Sequence, residues 1–167
     1  MKGFNMQDET AVKLDMLSKS LDMKKEVLIE ILAQTKKQEE ILNSGQNNED
    51  AFELVVKDKG RLIKKLTELD NGFEKVFSEI ADNVRNNKNA YKVYILGLQE
   101  KIRTVTDIGM DIENLERSNK TKFDAYMNKR RGELRKSRMS SKTVATYYNN
   151  MLKRNGAESS FFMDQKK

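Results

Sequence analysis

The spacing of the apolar residues constrains the fold of this chain more than any other feature of its sequence. They recur at steps of three and four positions from Leu62 to Val84 and again from Tyr91 to Tyr126. This spacing matches the 3.6 residues per turn of an α-helix and gives each helix one apolar stripe. The 167 residues include no proline, which would interrupt a helix interior. The sequence therefore predicts long, uninterrupted helices.

Three such helices are predicted, over residues 8–43, 51–86 and 90–138. The first two are nearly equal in length, which lets both bury their stripes in an antiparallel hairpin. We therefore predict an all-α fold, an antiparallel bundle of three long helices with a basic C-terminal tail that is partly disordered or helical. The stripe of the first helix follows a seven-residue repeat through Leu14, Leu17, Leu21, Leu28, Ile31 and Leu42, interrupted by Lys24, Thr35 and Gln38.

Two polar stretches, at 43–48 and 86–89, are predicted to form the turns between these helices. Gly45 can close the first helix and Asn48 can cap the second. The Asp-Asn-Gly triplet at 70–72 also resembles a turn. Because the apolar spacing passes through this triplet without a slip, we expect continuous helix there.

Composition excludes several kinds of site. The chain contains no cysteine and no histidine, so the usual zinc sites and the Ser-His-Asp and Cys-His nucleophiles are impossible. Asp107, Asp111 and Glu116 could be taken for a hard-metal site, but no adjacent loop supplies carbonyl ligands, and we expect a charged surface. We predict no enzyme activity, no catalytic residue, no metal site and no cofactor.

The hydropathy of the chain indicates a protein that does not enter the membrane. No apolar run approaches the roughly 18 residues that a membrane span needs. The first ten residues also lack the apolar core of a signal peptide. We therefore expect a cytoplasmic protein without direct membrane insertion.

Charge divides the chain unevenly. Residues 1–116 carry 18 Lys and Arg against 22 Asp and Glu, whereas residues 117–167 carry 14 against 4. We interpret residues 1–138 as the helical body and residues 139–167 as a tail that binds a partner. A solvated helix end explains the basic run better than a phosphate grip, because no nucleic-acid module accompanies it. That run contains Lys129, Arg130, Arg131, Arg135, Lys136 and Arg138.

The tail carries a short apolar face. Its members lie at i, i+3, i+4, i+7 and i+8, which is one side of a helix of about ten residues, too short to be stable alone. Two interpretations stay open: a fourth helix that folds back on the bundle, or a motif that orders on a partner. The candidate partner-binding residues are Val144, Tyr147, Tyr148, Met151 and Leu152, followed by the apolar pair Phe161 and Phe162.

Three segments resemble the FlgN-type flagellar export chaperones. Residues 24–70 are similar to the opening hairpin of that family, with a leucine-rich helix, a short Gly-containing turn and a charged helix. Residues 115–127, LERSNKTKFDAYM, are similar to its long third helix. The tail stretches SSKTVATYYNNM and SSFFMDQKK resemble family tails, particularly those of clostridial type.

The resemblance implies a function. Members of this family bind the terminal helices of hook-filament junction proteins. They prevent premature assembly of these client proteins and deliver them to the flagellar export gate. Carried over to this chain, Val144, Tyr147, Met151 and Leu152 would contact the client, and Tyr147 or Tyr148 would contact the gate. We expect a monomer or weak dimer that does not bind nucleic acid. Two other functions remain open: a chaperone for the filament-cap protein, or a basic coiled-coil protein associated with nucleic acid.

Overall fold

A computed structural model describes residues 6–45, 48–131, 146–147 and 149–151. It contains three long helices: α1 (Met6–Asn43), α2 (Glu49–Asn86) and α3 (Lys92–Arg130). They are 38, 38 and 39 residues long, and no strand occurs within the described ranges. The predicted all-α bundle of three long helices is confirmed. Residues 132–138, which the sequence assigned to the third helix, lie outside the described residues.

The first turn forms where the sequence predicted it. Gly45 has a φ of +68°, a left-handed conformation that favours glycine. Before it, the Ser44 amide donates to the Glu40 carbonyl at 3.0 Å. Asn48 lies at the N-cap of α2, but its side chain makes no capping hydrogen bond. The capping role expected of that side chain is therefore wrong.

Helix α2 continues through the Asp-Asn-Gly triplet without a break, as the apolar spacing predicted. Asp70 points into the interface between α1 and α2, where its Oδ1 lies 3.0 Å from Nζ of Lys24. Both side chains are largely enclosed. The residue that suggests a turn in the sequence therefore serves as a buried partner for a lysine of α1.

The second turn, at residues 87–91, is also formed as predicted. The Asn87 side-chain amide donates to the Asn83 carbonyl and to Oδ1 of Asn83, at 2.9 and 2.8 Å. The Asn83 amide in turn donates to the Thr10 hydroxyl at 2.8 Å and lies 3.3 Å from the Tyr91 hydroxyl. These contacts join the ends of all three helices.

Helix α1 is the central helix of the bundle. Among the three described helices, every approach of 8 Å or less between Cα atoms of different helices involves α1. Helices α2 and α3 therefore stand farther from each other than either stands from α1. The resulting space between α2 and α3 is called the α2–α3 groove below.

The main core follows the predicted stripes. On α1 and α2, Leu14, Leu17, Leu21, Leu28, Ile31, Leu66, Ile80 and Val84 are buried, as is Val27. On α3 the apolar residues of this core are Leu98, Ile102, Val105 and Ile112. None of the helices in the described part of the chain is long and apolar enough to span a membrane.

Candidate functional site

A charged pair lies at the floor of the α2–α3 groove. Lys59 on α2 and Glu116 on α3 form an ion pair and hydrogen bond between Nζ and Oε1. Their side chains are 0 % and 1 % exposed. The pair therefore connects the two helices that do not approach each other closely at the backbone.

Helix α1 supplies the remaining hydrogen bonds of this layer. Lys59 Nζ donates to Oε1 of Gln38 at 2.5 Å. The Thr35 hydroxyl lies 2.7 Å from the Ile31 carbonyl and 3.1 Å from Oε1 of Glu116, so its single proton can serve either acceptor. The Asn119 amide donates to the Thr35 carbonyl at 3.0 Å. We call these residues, Thr35, Gln38, Lys59, Glu116 and Asn119, the buried polar layer.

Burial dominates the electrostatics of the pair. Desolvation lowers the pKa of Lys59 to about 8, although the charge and hydrogen bond of Glu116 act in the opposite direction. Desolvation likewise raises the pKa of Glu116, against the charge of Lys59 and the hydrogen bonds from Lys59 and Thr35. Both shifts narrow the pH range in which the two groups are ionised together.

Some polar atoms of the buried polar layer lack a hydrogen-bond partner. Glu116 Oε2, Gln38 Nε2 and Asn119 Oδ1 are buried and have no hydrogen-bond partner in the described part of the chain. A buried polar atom without a partner carries a desolvation penalty of about 1–3 kcal/mol. Such a layer is therefore poorly explained as a device for stability alone.

Part of the tail lies on this layer. Residues 146–147 and 149–151 are helical, and we call them the tail segment. The Tyr147 ring centroid is 4.8 Å from Nζ of Lys59, a cation–π contact. Met151 is 0 % exposed and belongs to the main core. Tyr147 also packs against the second apolar cluster, in which the rings of Phe52 and Phe123 stack with centroids 5.2 Å apart.

The structure thus describes two of the seven candidate partner-binding residues. Tyr147 and Met151 are placed together, one helical turn apart, against the core of their own chain. The other five lie outside the residues whose side chains are described: Val144, Tyr148, Leu152, Phe161 and Phe162.

The described part of the basic run contains one enclosed arginine. Arg130 Nε lies 3.7 Å from Oε1 of Glu49, and its guanidinium lies 5.6 Å from the Tyr126 ring centroid. Tyr126 donates to the same Glu49 oxygen at 3.2 Å. Partial burial and the Glu49 carboxylate raise the pKa of Tyr126. Lys129 and Arg131 are exposed.

The acidic trio on α3 is divided between surface and interior. Asp107 and Asp111 are exposed, whereas Glu116 lies in the buried polar layer. The expectation of a charged surface is therefore wrong for Glu116. From Val105 onward the buried face of α3 includes Gly109 and Glu116, whereas the sequence stripe assigned Ile108 and Leu115 to it. Those two apolar residues are only half-buried.

The sequence analysis did not identify Lys59. This residue occupies a position in the apolar repeat at which a buried apolar residue is expected. Lys59 lies seven positions after Phe52 and seven before Leu66, both of which are buried. A charged residue at a core position of a repeat is the signal that could have identified it.

Comparison of the chain with protein-family models, with curated proteins and with solved structures found no match.

Proposed function

We propose that this protein is a cytoplasmic export chaperone for flagellar hook-filament junction proteins. It would bind their terminal helices, prevent premature assembly and deliver them to the export gate. The proposal joins the resemblance of residues 24–70, 115–127 and the tail to FlgN-type chaperones with one structural observation. That observation is the seating of the helical tail segment on the α2–α3 groove.

This observation supports a helix-binding function because the groove accepts one short amphipathic segment of the chain itself. Burial of a side chain such as Met151 contributes about 1.5–3 kcal/mol. Ordering each backbone residue opposes this by about 1–2 kcal/mol. An isolated helix of this length is only marginally stable in water. Another helix can therefore replace the tail segment in the groove. Exchange suits a chaperone, because a delivery protein has to release its client.

The tail carries the proposed partner contacts. Phe161 and Phe162 form an apolar pair for client or gate, and Tyr147 or Tyr148 is the proposed gate contact. Tyr147 and Met151 reach a partner only after leaving the core. Their part in client binding therefore depends on whether the tail segment is docked on the bundle.

Calorimetric titration of the full chain with a purified hook-filament junction protein tests this function. We expect a one-to-one complex with a Kd on the order of micromolar. Replacement of Phe161 and Phe162 by serine should weaken binding of the client or of the gate protein. Replacement of the adjacent Ser159 and Ser160 by alanine is the matched control, because it removes no apolar area.

The same assay separates the alternatives. Tighter binding of the filament-cap protein would assign the chain to that client instead. Binding of DNA or RNA at physiological salt, with no binding of either flagellar protein, would favour the nucleic-acid function. The enclosed position of Arg130 beside Glu49 argues against the latter, since it removes one cation from the exposed run.

A further inference from the structure

We propose that the α2–α3 groove is a docking site for a partner's amphipathic helix, and that the tail segment fills this site until the partner displaces it. The partner helix would carry an aromatic residue and, four positions later, methionine or a similarly long apolar residue. Tyr147 and Met151 supply this pattern from within the chain.

The helix spacing supports a separable occupant. Close backbone approaches between the described helices all involve α1, so α2 and α3 leave room for a further element. The tail segment lies in this space through Tyr147, which packs against Phe52 of α2 and Phe123 of α3, and its Met151 is 0 % exposed. The α1–α2 and α1–α3 interfaces also contain ion pairs in which the segment takes no part, such as Lys24–Asp70 and Lys101–Asp22.

The chemistry of the groove explains the preference for an aromatic residue. The ammonium of Lys59 is enclosed and lies 4.8 Å from the Tyr147 ring centroid. An aromatic face stabilises a desolvated cation, whereas an aliphatic side chain at this point would not. Beside it, the stacked rings of Phe52 and Phe123 extend the apolar wall that Tyr147 contacts.

Release of the segment is the step that opens the groove. A segment tethered to its own site competes at an effective concentration in the millimolar range. The apparent affinity of any second helix then falls by the fraction of molecules in which the groove is open. Weakening the tail contact should therefore strengthen binding of a helix added in trans.

A peptide from the chain itself tests the groove without any assumption about the client. Fluorescein-labelled peptide of residues 142–155 is titrated with the full chain and followed by anisotropy. The full-chain variant Met151→Asp should bind it at least about tenfold more tightly than the wild type. The peptide carrying the same Met→Asp change should not bind.

The matched control is Asn150→Asp, which adds a carboxylate at the exposed neighbouring position. It should leave the peptide affinity at the wild-type value. Met151→Ala should give a smaller gain in the same direction as Met151→Asp. Equal affinities for the wild type and both Met151 variants would overturn the proposal. So would loss of the cooperative thermal transition in Met151→Asp, because the segment would then be an integral core element.

The identification of the displacing helix with the client rests on the proposed function. Terminal-helix peptides of a hook-filament junction protein should also bind Met151→Asp more tightly than the wild type. Weaker binding by Met151→Asp would overturn the groove as the client site but leave the chaperone function standing. Absence of client binding by all variants, with the gain for the chain's own peptide retained, would overturn the chaperone function but not the groove.

Discussion

Lys59 and Glu116 are 57 positions apart in the chain and lie on the two helices whose backbones stay apart, yet their charged groups are in direct contact. Neither side chain is exposed to more than 1 %. The contact is reinforced from α1 by Gln38 and Thr35 and covered from the tail by the Tyr147 ring. One buried pair therefore connects every element of the described fold.

Breaking this pair on one side should be far more harmful than removing it whole. Lys59→Met leaves the Glu116 carboxylate buried without its cation and should lower the free energy of unfolding by about 3–5 kcal/mol. The double variant Lys59→Met/Glu116→Leu should lie within about 1 kcal/mol of the wild type or above it. Urea denaturation followed by far-UV circular dichroism measures both.

Lys57→Met is the control for that comparison. Lys57 is on the same helix, its side chain is 70 % exposed, and its ion pair with Glu53 spans 3.7 Å at the surface. Its loss should change the free energy of unfolding by less than about 0.5 kcal/mol. A similar loss for Lys57→Met and Lys59→Met would contradict the assigned burial.

The pair should also make stability depend on pH. The pKa of Lys59 is about 8 in the folded protein and 10.5 in the unfolded chain. Between these values the unfolded chain binds more protons at this position, so the stability contributed by Lys59 rises with pH. We expect the free energy of unfolding of the wild type, relative to the double variant, to increase by on the order of 1–3 kcal/mol from pH 7.5 to 10.

At acid pH, the free energy of unfolding relative to the double variant should change with pH in the opposite direction. Because the pKa of Glu116 is raised on folding, the folded state holds its proton at pH values above 4.5 where the unfolded chain loses it. Relative stability should therefore fall as the pH rises through that window. Denaturation curves of the wild type and the double variant at matched pH values measure both limbs. A flat difference across the whole range would refute the burial of the pair.

Replacement of glycine by alanine should have opposite effects on stability at helical positions and at the left-handed position. Gly60 and Gly72 lie inside α2, and a Cβ placed on either meets nothing within 4 Å. Alanine at either position should stabilise the protein by about 0.5–1 kcal/mol, since helical glycine loses more entropy on folding. Gly45→Ala should destabilise it by about 1 kcal/mol, because the left-handed φ of +68° strains an L-residue. Melting temperatures that rise for Gly45→Ala would contradict this.

The chain should be a monomer at micromolar concentration. The exposed apolar residues of α1 include a stripe of Val12, Met16 and Met23, which are 50 %, 49 % and 48 % exposed. These three side chains cover much less than the roughly 800 Å² per partner that a stable interface buries. The other exposed large apolar residues of the described chain are distributed over all three helices: Ile29, Leu54, Val93, Tyr94, Leu96 and Met110. Light scattering coupled to size exclusion should give a mass near 19.4 kDa, and any weak dimer should disappear in Met16→Glu/Met23→Glu.

The sequence predicted the helices well because their information is local. The apolar repeat, the absence of proline and the glycine of the first turn each act within a few residues, and they located both turns and the continuous passage through Asp70. Thr35 and Gln38 were recognised as interruptions of the α1 stripe. Their meaning depends on Lys59 and Glu116, which are distant in the chain, so the pattern on α1 alone could not supply it.

The candidate site was harder to predict for two physical reasons. A hydrophobic repeat assigns charged residues to the surface, and this placed Glu116 outside while Leu115 was assigned to the core. The position at which a short amphipathic segment binds depends on the surface that it contacts, and its own periodicity does not determine it. Tyr147 and Met151 were therefore found as a face, but the groove that receives them was not.

The polar contacts of α1 also fix how the first two helices are aligned. A slip by two heptads would place Leu14, Leu17 and Leu28 where Leu28, Ile31 and Leu42 now lie, so apolar packing at these positions would tolerate it. It would also carry Lys24 to the level that Gln38 now occupies, where its ammonium would oppose that of Lys59. Thr10, moved by the same distance, would be the neighbour of Asp70 and offer a hydroxyl in place of a cation. The observed alignment neutralises each buried charge and this slip would not, so a hairpin misaligned in this way is penalised while the chain is still folding.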